Sequence, residues 1–186
     1  TMNESDLIEK IRLAFQDCEK PAQIGYDGPD GECVQYYFAG KVWQDVSINS
    51  LMKARETAHF GDYTAYLSFM TLEGLAYFLP GYMTMCLRDD PAEIDFIMLS
   101  LYLKLTHPAS PPPDEPGWGY DYKKERFEGL VKLLTPPQKE SVAAFLHYQT
   151  THWNHKEMPA GQINEEAERA YNGYWRQFDP APPDQK

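Results

Sequence analysis

The stretch from Ser68 to Leu87, SFMTLEGLAYFLPGYMTMCL, decides the fold that we expect for this 186-residue chain. Apolar side chains recur in it at steps of three and four, which is the spacing of one buried face of an α-helix. The members of this face are Leu72, Leu75, Ala76, Leu79, Met83, Cys86 and Leu87. Pro80 removes one backbone hydrogen bond and crowds the carbonyl of Ala76, but the apolar spacing continues through it without a shift. The pattern therefore favours one helix kinked at Pro80 over two short helices that meet at Pro80 and Gly81.

Similar spacing predicts further helices on both sides of this stretch. They cover about residues 6–18, 49–59, 92–105, 122–134, 136–153 and 165–177. The helix over 92–105 is apolar nearly all round, so we expect it to lie inside the fold. Residues 33–38, CVQYYF, are rich in β-forming side chains and predict one short strand. Together these patterns predict a mainly α, single-domain helical bundle of about six helices, with a kinked central helix and at most a minor β element.

The distribution of prolines suggests how the chain is divided. Residues 107–117 contain five prolines, which exclude a helix or a central strand and predict a surface loop. We expect residues 1–160 to form the helical core and residues 161–178 to form a C-terminal helix that docks on this core. The proline-rich end, residues 179–186, is predicted to be a flexible tail.

Charge and composition exclude several classes of function. The net charge is -11, from 28 acidic and 17 basic residues. Such a field disfavours nucleic acids and anionic membranes as partners, because both are polyanions. The longest nearly apolar run, Ile94 to Leu105, is shorter than the roughly 20 residues that span a bilayer. We therefore expect no nucleic-acid or membrane partner, whereas a basic protein partner is compatible with the charge.

The three cysteines carry little information about chemistry. Cys18, Cys33 and Cys86 are too few and too scattered for a disulfide framework or for the spacing of zinc ligands. The simplest compartment is therefore the cytoplasm.

The densest acidic cluster lies at the start of the apolar helix. Its members are Asp89, Asp90, Glu93 and Asp95. Acids at a helix start are favoured by the helix dipole without any ligand, and the order of an EF-hand loop is absent. If the cluster has a function, contact with a basic partner is a better interpretation than binding of magnesium or calcium.

Three aromatic residues lie off the buried face of the central stretch, beside Pro80. Tyr77, Phe78 and Tyr82 could line a groove whose floor includes the freed carbonyl of Ala76. The alternative is that they make further core contacts on the other side of a central helix.

Two short motifs are candidates for a metal site. His152 and His155 lie one helical turn apart, and Glu56 and His59 have the same spacing. Each pair could supply two ligands if others arrived from elsewhere, but polar side chains at a helix end are the better explanation of both pairs. Motifs for a nucleophile elbow, a P-loop or a dinucleotide fold are absent. We expect no cofactor.

Four segments carry a resemblance to a known family. They are FAGKxWxDV at 38–46, LEGLAYFLPGY at 72–82, LTxxQ at 134–138 and FLxY at 145–148. This pattern resembles an uncharacterised family of small bacterial proteins, catalogued as a domain of unknown function. The resemblance covers roughly residues 4–150 and leaves the last helix outside. It implies a compact, mostly helical bacterial domain, and it assigns no catalytic residue.

The function predicted from these observations is that of a non-catalytic protein-binding or regulatory module. An immunity-like role against a toxin would suit its acidity. The alternative is a metal-dependent enzyme that uses the His and Glu residues named above. The sequence does not indicate an oligomeric state.

Overall fold

The fold is an assembly of helices, seen here in a computed structural model that describes residues 2–56, 63–89, 91–108, 117–152 and 161–180. The α-helices of these residues are α1 Glu4–Phe15, α2 Pro29–Ala39, α3 Ile48–Glu56, α4 Tyr66–Phe69, α5 Leu72–Arg88, α6 Pro91–Leu105, α7 Gly117–Leu133, α8 Pro136–His152 and α9 Gly161–Gly173. Short 3-10 helices cover Trp43–Asp45, Tyr63–Ala65 and Trp175–Phe178. Within the described ranges there is no sheet, and the β contact is a single bridge between Gly25 and Met70. The prediction of a mainly α bundle is confirmed. Most of the proline-rich segment, 109–116, lies outside the described residues.

Helix α5 is the central element, and it runs through Pro80 as one helix. Its N-terminus is capped by Thr71, whose hydroxyl accepts a hydrogen bond from the amide of Gly74 at 3.0 Å. Gly81 is required because a β-carbon there would lie 2.2 Å from the carbonyl oxygen of Trp43. The 3-10 helix Trp43–Asp45 can therefore pack directly against the backbone of α5. The alternative of two short helices is wrong.

The predicted strand at residues 33–38 is wrong, because this segment lies in α2. Val34, Tyr37 and Phe38 are all buried, and their spacing is that of one helical face. Pro29 occupies the first turn, where its missing amide does no harm. At the other end, the Lys20 ammonium donates hydrogen bonds to three carbonyls, including that of Phe38 at 2.9 Å. The burial of one helical face and these end contacts outweigh the β propensity of the side chains.

Helix α6 is buried on one side only, in contrast to the expectation that it lies inside. Its inner face packs against α4, α5 and α9, and it includes Ile94, Ile97, Met98, Leu101, Tyr102 and Leu105. Phe96 is 68% exposed and Leu103 is 53% exposed, so an apolar stripe faces solvent. The sequence of α6 did not indicate that one face is exposed, because a helix that is apolar all round gives no sign of which face lacks a packing partner.

The C-terminal elements are packed into the same core. Helix α9 contacts α6 and α8, and the 3-10 helix after it contacts α8. Trp175 is fully buried, and its indole nitrogen donates to the carbonyl of Leu105 at 2.7 Å. In the part of the chain that is described, no helix has the length and apolarity needed to cross a membrane.

Candidate protein-binding cleft

The predicted acidic cluster is only partly described. The carboxylate of Asp89 accepts a hydrogen bond from the backbone amide of Ile48 at 3.1 Å. It thereby provides an acceptor for an amide at the start of α3. Glu93 is exposed. Asp95 is half-buried, and its carboxylate accepts a hydrogen bond from the backbone amide of Phe96 at 2.7 Å. Asp90 lies outside the described residues. Asp89 therefore has a structural role, and a contact of this cluster with a basic partner stays a prediction.

The three aromatic residues beside Pro80 lie in the core. Tyr77 is 6% exposed, Phe78 is fully buried and Tyr82 is 1% exposed. The ring of Phe78 lies 4.5 Å from that of Phe38 and 4.9 Å from that of Tyr77. Of the three, Tyr77 lines a cleft, together with its neighbour Ala76. That cleft lies on the Ala76 side of α5, where we expected a groove.

The histidine motifs are only partly described. His152 is exposed, and its ring stacks on Tyr148 with 4.0 Å between centroids. His155, His59 and the side chain of Glu56 lie outside the described residues. Within the described ranges, no three or more His, Cys, Asp or Glu side chains are grouped so that they could hold a metal ion.

A cleft with acidic walls forms where the end of α1, the first half of α5, the end of α7 and the start of α8 meet. Its volume is about 440 Å³, and we call it the acidic cleft. The acidic cleft is lined by Ala14, Asp17, Cys18, Glu19, Glu73, Ala76, Tyr77, Leu133, Leu134, Thr135 and Gln138. Three of these are exposed carboxylates, five are apolar or aromatic, and none is a lysine or an arginine. The cleft therefore combines an apolar floor with negative walls.

One buried amide holds the walls of the acidic cleft together. The side-chain nitrogen of Gln138 donates to the Cys18 sulfur at 2.9 Å, and its oxygen accepts from the amide of Thr135 at 2.9 Å. Gln138 is 6% exposed, and both bonds are partly buried. It thereby fixes the α7–α8 turn against the end of α1.

The Cys18 thiol of the acidic cleft is poorly suited to act as a nucleophile. Burial raises the pKa of the Cys18 thiol, although the hydrogen bond from Gln138 acts in the opposite direction. The thiol is therefore protonated at neutral pH, and the protonated form is a poor nucleophile. Asp17, Glu19 and Glu73 remain as the charged groups of the cleft, and they attract cations.

The neighbouring groove extends this negative surface. It lies between α1 and α8, has a volume of about 450 Å³, shares Ala14 with the acidic cleft and contains the carboxylates of Asp6, Glu9 and Glu140. Of these, Glu9 accepts two hydrogen bonds from Arg12, each at 2.7 Å. Its one base, Lys10, lies 3.8 Å from the carboxylate of Glu140. The negative surface is thus longer than a site for a single small cation needs to be.

A second polar cluster has a structural role. The carboxylate of Asp179 accepts from His147 and from the hydroxyl of Tyr171, each at 2.7 Å, and its side chain is 5% exposed. Burial, followed by the neighbouring Asp179, raises the pKa of Tyr171. Asp179 is the first residue of the predicted tail, and these bonds fasten it to α8 and α9.

The sequence did not indicate Asp17, Glu19 and Glu73 as a group. They come from two segments more than fifty residues apart, and only the packing of α1 beside α5 brings them together. The signal that pointed to this region was the freed Ala76 carbonyl beside Pro80.

Comparison with known proteins supports the resemblance found in the sequence. The model of a family described as "Family of unknown function (DUF6714)" matches residues 3–178. The match includes α9 and the 3-10 helix after it, so the expectation that the last helix lies outside the family is wrong. Searches of curated proteins and of solved structures give no match.

Proposed function

This chain belongs to the family of unknown function DUF6714, and we propose that it is a non-catalytic protein-binding module whose acidic cleft receives a basic segment of a partner protein. The observation that carries this proposal is the combination of Asp17, Glu19 and Glu73 with an apolar floor and no basic lining residue. Lysine and arginine match such a site, because their aliphatic stems can lie on apolar surface while the charged heads meet carboxylates.

The length of the negative surface favours a protein segment over a small cation. The α1–α8 groove continues from the acidic cleft at Ala14 and adds the carboxylate of Asp6, whereas those of Glu9 and Glu140 already pair with Arg12 and Lys10. Several basic side chains in sequence can use both parts at once. The overall charge of -11 would also speed the encounter with a basic partner. A basic toxin is one such partner, and its capture would be an immunity-like function.

The state of the cysteines supports a non-catalytic role. Burial raises the pKa of Cys86 as it does that of Cys18, so neither provides a thiolate at neutral pH. Cys18 and Cys86 are free thiols, which suits a reducing compartment such as the cytoplasm. We place the protein there as part of this proposal.

Calorimetric titration with a synthetic lysine–alanine peptide tests the proposal. The peptide should bind at low ionic strength, and a glutamate–alanine peptide of the same length should not. The triple variant Asp17→Asn, Glu19→Gln, Glu73→Gln should bind about tenfold more weakly, since each exposed ion pair contributes about 0.2–1 kcal/mol.

The matched control removes the same charge elsewhere. Asp121, Glu125 and Glu168 are exposed and do not line the acidic cleft. The two triple variants are compared at about 0.1 M salt, where the Debye length is about 10 Å. The control substitutions should then leave the affinity within about twofold of wild type, because these side chains do not line the cleft. Equal losses in both triple variants would show general charge attraction and would refute a site in the cleft.

A further inference from the structure

The outer face of α6 carries large apolar side chains that no described element covers. Phe96 and Leu103 are 68% and 53% exposed, and they lie seven residues apart on one side of the helix. Between them are Leu99, which is partly buried, and Ser100. We call Phe96, Leu99, Ser100 and Leu103 the α6 stripe. Contiguous apolar surface that is exposed to solvent is typical of contact sites.

We propose that the α6 stripe is the contact of a two-fold symmetric dimer in which the two α6 helices pack antiparallel. If the two-fold axis passes between Leu99 and Ser100, Phe96 lies opposite the partner's Leu103. The same contact is repeated by symmetry, because the two residues are equally far from the axis. Ser100, which is small, lies beside the axis and lets the helices approach.

Charge along α6 favours a second copy over another basic protein. Glu93 is exposed near the N-terminal end and Lys104 lies near the C-terminal end. They are eleven residues apart, which is close to three turns, so both lie on the same flank of the stripe. Antiparallel pairing therefore brings Glu93 near the partner's Lys104, twice. A basic helix from another protein would be attracted by Glu93 but repelled by Lys104 and by the neighbouring Lys123.

The environment of Lys104 agrees with this arrangement. Burial, followed by the charge of Lys123, lowers the pKa of Lys104. A carboxylate from a second copy would offset both effects. Contact through one helix face is small compared with the 1,200–2,000 Å² or so of a stable interface, so the dimer should be weak and should depend on concentration.

Sedimentation equilibrium over a concentration series tests the proposal. The weight-average mass of the wild type should rise from the monomer toward the dimer as concentration increases. Phe96→Asp combined with Leu103→Asp should stay monomeric throughout. The control Tyr36→Asp changes a side chain that is 74% exposed on α2, and it should behave as the wild type. Thermal melting should show that all three proteins are folded, since the substituted positions face solvent.

Charge exchange tests the antiparallel arrangement. Glu93→Lys alone or Lys104→Glu alone should weaken the dimer several-fold, because each places like charges together. An equimolar mixture of the two single variants should associate more strongly than either alone, and the double variant should recover wild-type association. A wild type that stays monomeric at every soluble concentration would overturn the proposal, even if the stripe then bound a basic peptide. A dimer that survives the two aspartates, or that ignores the charge exchange, would also overturn it.

This inference is independent of the acidic cleft. The α6 stripe shares no residue with the cleft lining, so either surface can fail its test without affecting the other.

Discussion

Gln138 donates a hydrogen bond to the sulfur of Cys18 over 2.9 Å, and this bond joins the first turn of α8 to the end of α1 at the acidic cleft. The residues are 120 positions apart in the chain, so the bond exists only once the fold has formed. The side-chain oxygen of Gln138 also accepts a hydrogen bond from the backbone amide of Thr135 at the α7–α8 turn. One buried side chain therefore positions two of the four elements that shape the proposed binding site.

Substitution of Gln138 should loosen this junction. Gln138→Ala removes both bonds and leaves the amide of Thr135 without its acceptor, so the free energy of unfolding should fall by about 1–2 kcal/mol. Urea unfolding measures the change. Gln16→Ala, at an exposed position of α1's end, is the control and should change stability by less than about 0.5 kcal/mol. Equal effects at the two positions would contradict a structural role for Gln138.

Gly81 and Gly119 should respond to alanine in opposite directions. At Gly81 the new methyl group would lie 2.2 Å from the Trp43 carbonyl and 2.9 Å from the side chain of Val46, so Gly81→Ala should cost about 1–3 kcal/mol or more. At Gly119, in α7, nothing lies within 4 Å. Gly119→Ala should therefore stabilise the protein by about 0.5–1 kcal/mol through helix propensity. A stable Gly81→Ala protein would mean that α5 and the 3-10 helix Trp43–Asp45 are not in direct backbone contact.

The hydroxyl of Tyr82 should be dispensable for stability. It is buried and has no hydrogen-bond partner among the described residues, whereas the hydroxyl of Tyr37 bonds to Ser50 at 3.2 Å. Tyr82→Phe should be neutral or should stabilise by up to about 1 kcal/mol, because an unpaired buried hydroxyl is removed. Tyr37→Phe should instead destabilise by about 0.5–1 kcal/mol. Thermal and urea unfolding measure the change in the free energy of unfolding of each variant. A clear loss in Tyr82→Phe would reveal a partner for that hydroxyl.

Stability should fall on the alkaline side. Burial raises the pKa of Tyr82 and of Tyr102 well above the usual value. Above about pH 10 the tyrosines of the unfolded chain lose their protons first, so the unfolded state is favoured increasingly as pH rises. The urea midpoint should be level near neutral pH, should begin to fall above about pH 8.5 as the thiols of the unfolded chain ionise, and should drop further above about pH 10. Tyr102→Phe should reduce this drop, and an equal drop in the variant would contradict the assignment to Tyr102.

The features that the sequence predicted best are those encoded by local periodicity. The unbroken spacing through Pro80 and the cap at Thr71 predicted α5 as a single helix, since both depend on residues within one or two turns. Residues 33–38 misled the prediction because tertiary burial of Val34, Tyr37 and Phe38 selects a helix where propensity alone favours a strand.

The candidate site was harder to predict than the fold. Asp89 looked like part of an acidic patch, but it satisfies the amide of Ile48, 41 residues away. The carboxylates of Asp17 and Glu73 meet only because α1 packs against α5, and no short-range pattern encodes that contact. The exposure of apolar residues on α6 also depends on tertiary packing. Phe96 and Met98 look equivalent in sequence, but Met98 lies on the face that packs against other helices and Phe96 lies on the face that does not.

Chemical-shift mapping with the lysine–alanine peptide tests the central claim most directly. Titration of the ¹⁵N-labelled protein should shift the amides of Ala14, Cys18, Glu73, Ala76 and Leu133 in a saturable way, because these residues line the acidic cleft. The variant with Asp17, Glu19 and Glu73 changed to amides should lose most of these shifts at the same peptide concentration. Shifts spread over the surface, or centred on the α6 stripe, would contradict the account.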